Sequence, residues 1–169
     1  MAWDSGPSRV IGPDAGHSIW QPTPERGFVT VKVAPPEFAS NLYAVLTYTV
    51  PRLPAHGHPS NEELKLVTTG TGVATVRGVE HRIEPGSLCV TGRWVEHWFL
   101  NTGDENITIL AVFMPPALEG LIKELGRPRL VGQPAPEPFD APADVLGIIE
   151  RNSLVLPGPM QPMLNWIEK

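Results

Sequence analysis

The sequence predicts an all-β fold with short C-terminal helices, and three observations carry that expectation. Turn-forming residues are dense, with 20 prolines and 16 glycines in 169 residues. Between them lie short runs rich in β-branched side chains, many of them alternating. Helical periodicity is confined to the chain beyond residue 116.

Residues 1–27 read as an extended arm. They carry Gly6-Pro7, Gly12-Pro13-Asp14 and Pro22-Thr-Pro24, with one short strand near 17–20. Trp3 and Trp20 are large apolar groups in this arm, expected to pack on the β structure or on a second subunit. Residues 28–33 alternate and form a strand that Pro35-Pro36 ends. Residues 42–50 are apolar on both faces, as in a buried strand. Further strands are predicted at 64–69, 73–77, 80–83, 87–91, 94–100 and 107–113, with turns at Gly70, Gly78 and Pro85-Gly86. The polar segment 101–106 reads as a hairpin loop. Short strands at this spacing suggest a sandwich or barrel.

Pro115-Pro116 ends the β region. Leu118, Leu121, Ile122 and Leu125 form a helical stripe that Gly126 and Pro128 stop. A proline-rich linker or wrapping arm follows at 126–142, then a second short helix over 144–152. The division is an N-terminal arm (1–27), a barrel (28–115) and a helical, proline-rich extension packed on it (116–169).

One domain is the default at this length. A net charge of −5 with no basic run argues against nucleic acid and anionic membrane as partners. Neither a signal peptide nor a membrane-length apolar stretch is apparent. A single cysteine, Cys89, excludes an intramolecular disulfide and suits the cytoplasm. With no activating group adjacent in sequence, Cys89 reads as a small core residue rather than a nucleophile.

The chemistry concentrates in the stretch 54–70. Only five histidines occur, and His56 and His58 stand two apart, so an extended backbone turns both imidazoles to one face. Glu62 and Glu63 follow closely, and His97 lies on a later strand. Two imidazoles, a carboxylate and a third imidazole are the makings of a compact N/O metal site. His17 reads as structural or solvated rather than as a ligand.

The spacing resembles the cupin superfamily. Its first motif, G-x5-H-x-H-x3,4-E-x6-G, is met by His56, His58, Glu63 and Gly70, with Val50 in place of the leading Gly. The second, G-x5-P-x-G-x2-H-x3-N, is met by Gly86, His97 and Asn101. Gly92 stands for the Pro and Trp94 for the second Gly. The C-terminal pattern, with Leu156-Pro-Gly-Pro159, also looks like the extension of single-domain quercetinase-like cupins.

This resemblance implies a double-stranded β-helix, or jelly-roll, barrel of the cupin type. It implies one divalent ion (Fe, Ni, Mn, Co or Zn) held by His56, His58, Glu63 and His97, with Glu62 left to solvent. It also implies a small-molecule substrate and a homodimer. Strand alternation places Lys65, Val67 and Thr69 on the face of Glu63. Lys65 then either reaches solvent at a strand end, or binds an anionic substrate or acts as a base. Val95 and Phe99 share the face of His97. With Val67 and Tyr48 they would form an apolar wall for an aromatic or polyketide-like substrate. Trp94 and Trp98 would face away, and Arg93 stands at the rim.

The first expectation for function is a quercetinase-like dioxygenase. The second keeps the metal as a Lewis acid and moves a proton, as in an isomerase, cyclase or lyase. The third is a non-catalytic ligand-binding module.

Overall fold

Eleven strands and two helices are found among the described residues. The computed structural model describes residues 9–22, 27–36, 42–152 and 154. Trp3 and the 156–159 segment lie outside them. The strands are β1 (His17–Trp20), β2 (Phe28–Val33), β3 (Ala44–Thr49), β4 (Arg52–His56), β5 (Glu62–Thr69), β6 (Gly72–Val76), β7 (Val79–Ile83), β8 (Leu88–Thr91), β9 (His97–Asn101), β10 (Thr108–Met114) and β11 (Arg127–Pro128). The helices are α1 (Glu119–Leu125) and α2 (Val145–Arg151).

Two antiparallel sheets result, as a jelly roll requires. One has seven strands in the order β11-β1-β2-β3-β10-β5-β8, the other four in the order β4-β9-β6-β7. Alternation on the central strands sorts the side chains. On β10, Ile109, Ala111 and Phe113 are buried, while Thr108, Leu110 and Val112 are only half-buried. On β3 the buried set is Ala44, Leu46 and Tyr48. This strand is therefore one-sided, not apolar-buried on both faces as its composition suggested.

The core continues into the helices. Leu121, Ile122, Val145, Ile148 and Ile149 join the same apolar cluster as Val29, Leu46 and Phe113. The proline-rich arm adds a strand of its own, with Arg127 opposite Trp20 and Pro128 opposite Ile19. A proline is tolerated there because β11 is an edge strand.

Three expectations are corrected. β4 escaped notice because Pro51 and Pro54 flank or interrupt it. It forms nonetheless as an edge strand of the smaller sheet, pairing with β9 alone. Segment 101–106 is not a hairpin loop, since β9 and β10 belong to different sheets. It is a crossover, folded by the Asn101 side chain, which accepts from Gly103 N–H and donates to Glu105 O. Trp94 is not extended. Its φ is +61°, and its N–H donates to His58 O at 2.9 Å. The family motif places glycine there, which adopts that backbone at no steric cost. Gly70, which closes the first motif, has a similar need. Its φ is +75°, and a Cβ there would stand 2.6 Å from Ile107 Cα.

Candidate metal centre

Three strands converge on the site. β4 carries His56 and leads to His58, β5 carries Glu63, and β9 carries His97. His56 and His97 are register partners across β4 and β9, with ring centroids 4.3 Å apart. His58 lies 5.0 Å from His56 and 5.4 Å from His97 by the same measure. One ligand atom from each of His56, His58, Glu63 and His97 lies within 4.8 Å of the others, and all four residues are buried.

The backbone sets the imidazole tautomers. His56 Nδ1 lies 2.6 Å from Pro54 O, and His97 Nδ1 lies 2.8 Å from Val95 O. A carbonyl only accepts, so both Nδ1 atoms carry the proton and donate. In the neutral ring this leaves an Nε2 lone pair, the state a metal needs. Glu63 Oε2 lies 3.1 Å from His97 Nε2 and 3.6 Å from His58 Nε2.

His58 tests whether a metal fits. It is buried, and among the described residues neither ring nitrogen has a hydrogen-bond partner. An unsatisfied buried polar group costs about 1–3 kcal/mol. Ligation of one nitrogen removes part of that cost. Two donors each about 2.1 Å from one ion stand at most about 4.2 Å apart, so sub-ångström movement closes the observed spread. The donor set fits a divalent ion. Three imidazoles and a carboxylate do not select among Fe, Mn, Co, Ni and Zn.

Lys65 is the unexpected member. It does not reach solvent: residue exposure is 5 %, and its Nζ is ion-paired with Glu63 Oε2. The reading that β5 lets Lys65 escape at a strand end fails because β10 and β8 flank the strand on both sides, with Ala111 and Cys89 opposite Lys65. Thr69, farther along the same face, is exposed instead. Glu62 is exposed, while Glu63 is 1 % exposed.

Charge follows this geometry. Burial pushes the Glu63 carboxyl up. The Lys65 ammonium and the His58 and His97 imidazoles outweigh it and hold the group well below the usual carboxylate range. Burial, then the neighbouring His97, Lys65 and His58, hold the His56 imidazole well below its ordinary value. Burial, then Glu63 and Glu119, push the Tyr48 phenol well up, so it stays neutral.

The sign of the pH dependence follows. Unfolded His56 binds a proton below about 6.5 while the folded residue resists it. The metal-free protein therefore loses stability as pH falls through 6.5. It loses more as pH falls below the ordinary carboxylate value of 4.5, where unfolded Glu63 protonates first. Urea midpoints measured between about pH 8 and pH 4 should fall in that order. A flat profile would contradict the buried, neutral His56.

Two cavities meet at this cluster. The larger, about 480 Å³, is lined by Lys65, Val67, His97, Phe99 and Ile109 among others. The smaller, about 140 Å³, lies beneath α1 and α2 and is bordered by His56, Glu63 and Tyr48. Leu53 borders both.

The expected substrate wall is thus divided. Val67 and Phe99 face the larger cavity and Tyr48 the smaller. Val95 is buried but lines neither; its carbonyl orients His97 instead. Trp98, expected to face away, borders the larger cavity, whereas Trp94 is exposed. Arg93 is exposed and lines neither cavity. The half-buried Cys89 thiol, which lines the larger cavity, is pushed up by burial. Two contributors were missed. Phe113 packs edge-on against His58 at 5.6 Å, and Leu53 borders both cavities. Alternation on β10 was the available signal for Phe113.

Comparison with known proteins bears on the fold. Residues 49–113 match the family model described as Cupin domain. The fold is a cupin jelly roll. Pac13, a nucleoside dehydratase known from Streptomyces structures, superposes with TM-score 0.51 at 12 % identity, over 66 % of this chain and 87 % of that one. The cupin domain of Schizosaccharomyces pombe Cnp3 superposes with TM-score 0.52 at 15 % identity, over 63 % and 75 %. At these identities the likeness concerns the cupin fold alone. No curated protein sequence matches the chain. Among the described residues, no helix is long and apolar enough to cross a membrane.

Proposed function

We propose that the chain is a metal-dependent enzyme that rearranges or cleaves a small organic substrate by proton transfer, as an isomerase, cyclase or lyase. The observation that carries this reading is the Lys65 ammonium, buried in the larger cavity beside the Glu63 carboxylate. A buried ammonium is costly to keep and has no role in holding the fold that an apolar residue would not fill better. Pac13, on the same fold, is a nucleoside dehydratase, so a lyase is compatible with this architecture.

A divalent ion held by His56, His58, Glu63 and His97 would supply Lewis-acid polarisation of a substrate oxygen. The chain's own groups do the rest. Lys65 holds a proton at Nζ and delivers it to a leaving oxygen or to a developing oxyanion. Val67, Phe99 and Ile109 keep water from the reacting atoms and press the substrate's apolar part toward Lys65. Pro54 O and Val95 O hold His56 and His97 in the tautomer required.

Lys65→Met tests the reading. Turnover of the substrate falls by about 10²–10⁴-fold, while metal content stays at the wild-type level and no dioxygen is consumed by either protein. Undiminished turnover in the variant would end it. The second reading, a dioxygenase, is favoured by the apolar walls of both cavities. Substrate-dependent oxygen uptake by the wild-type protein would establish it in place of the first.

A further inference from the structure

Lys65 and three of the four candidate ligands stand between two cavities. Lys65 and His97 face the larger, His56 and Glu63 the smaller. We propose that the smaller cavity is a subsite for one ring-sized apolar group of the substrate, seated between the barrel and the C-terminal helices.

Size makes the first argument. The cavity measures about 140 Å³, close to the roughly 150 Å³ of an engineered apolar cavity that takes benzene. Lining makes the second. Val29, Tyr48, Leu121, Ile122 and Ile149 supply apolar walls from both the barrel and the helices. The amide of Gln21, at the edge, is already spent on Ile19 O and Ile122 O, at 3.4 and 3.3 Å.

Polarity makes the third. The groups able to bind an ion, His56 and Glu63, border this same small volume. A ligand placed here has its apolar part against the helices and any oxygen substituent toward the cluster. The half-exposed Pro22, Ala141 and Leu154 border the cavity as well. A substrate carrying one aryl or comparable ring therefore has a place for that ring outside the larger cavity.

The proposal rests on the enzymatic reading only in calling the ring part of a substrate. Ring binding itself needs neither Lys65 nor an ion, and that separates the two in experiment. Benzene is the probe, added to the metal-free, full-length protein and followed through methyl resonances of isoleucine, leucine and valine. The expected result is saturable shifts at Leu121, Ile122 and Ile149, retained in Lys65→Met and in Leu146→Ala, whose side chain lies on the exposed face of α2.

Ile149→Trp fills the cavity and weakens benzene at least tenfold. Should that variant not fold, Leu121→Phe fills it more gently and is expected to do the same. No benzene-dependent shift in the wild type overturns the proposal. So do shifts confined to Val67 and Val76 in the larger cavity, or undiminished binding in the filled variant that folds. Loss of turnover in Lys65→Met with benzene binding intact supports both readings. Retained turnover with benzene binding intact defeats only the catalytic one.

Discussion

Replacing Glu63 by alanine lowers the stability of the metal-free protein by about 3–5 kcal/mol, the cost of leaving a buried charge without its partner. The Lys65 ammonium is that charge. Its side chain is 7 % exposed, and Glu63 Oε2 is the anion that holds it. At roughly 2–4 °C per kcal/mol for a chain of this size, the melting temperature drops by about 6–20 °C. The double variant Glu63→Leu with Lys65→Met removes both charges and recovers most of the loss, because a buried pair is often no better than well-packed apolar groups. Lys65→Met alone is also costly, because it leaves the buried Glu63 carboxylate without its cation while the neutral His97 turns an Nε2 lone pair toward it. Denaturant midpoints of the four chelator-treated proteins measure this. If Glu63→Ala stays within about 1 kcal/mol of wild type, the ammonium is not held as described.

His58→Leu separates metal binding from folding. Metal affinity falls at least about 100-fold, since one direct ligand is gone. Yet the metal-free protein keeps its stability to within about 1 kcal/mol, because the one polar approach of His58, its Nε2 to Glu63 Oε2, is 3.6 Å long. His56→Leu and His97→Leu behave differently. Each removes a ligand and also strands a carbonyl, of Pro54 or Val95, that its Nδ1 had satisfied. These two variants should lose both the ion and apparent stability. Elemental analysis of purified protein reads the first effect, and melting temperature with and without chelator reads the second. Full metal stoichiometry in His58→Leu would remove that residue from the site.

The two histidine motifs made the cluster legible because each ligand sits on, or beside, a strand with an unambiguous face. The spacing from Glu63 to Gly70 chose Glu63 over Glu62, and the exposures of the two carboxylates agree with that choice. Strands β2 and β10 were readable for the same reason: alternating apolar residues bounded by proline or turn residues. Legibility failed where tertiary pairing overrode local preference. β4 contains Pro54 and exists because β9 lies beside it. Residues 127 and 128 look like linker and become a strand only because β1 offers an edge. The depth of Lys65 depended on neighbours from β8 and β10, which no single-strand pattern reveals. The division of the apolar wall between two cavities depended on where the helices settle, and amphipathic stripes do not say that.

The junction of β11 with β1 has a bearing on how the chain is made. Trp20 finds Arg127, and Ile19 finds Pro128, only after more than a hundred intervening residues have left the ribosome. Until then β1 has one bare side, and the seven-stranded sheet is a strand short. Closing so large a loop is slow. A chain cut just before residue 127 would emerge with that side permanently open, inviting edge-to-edge association between copies.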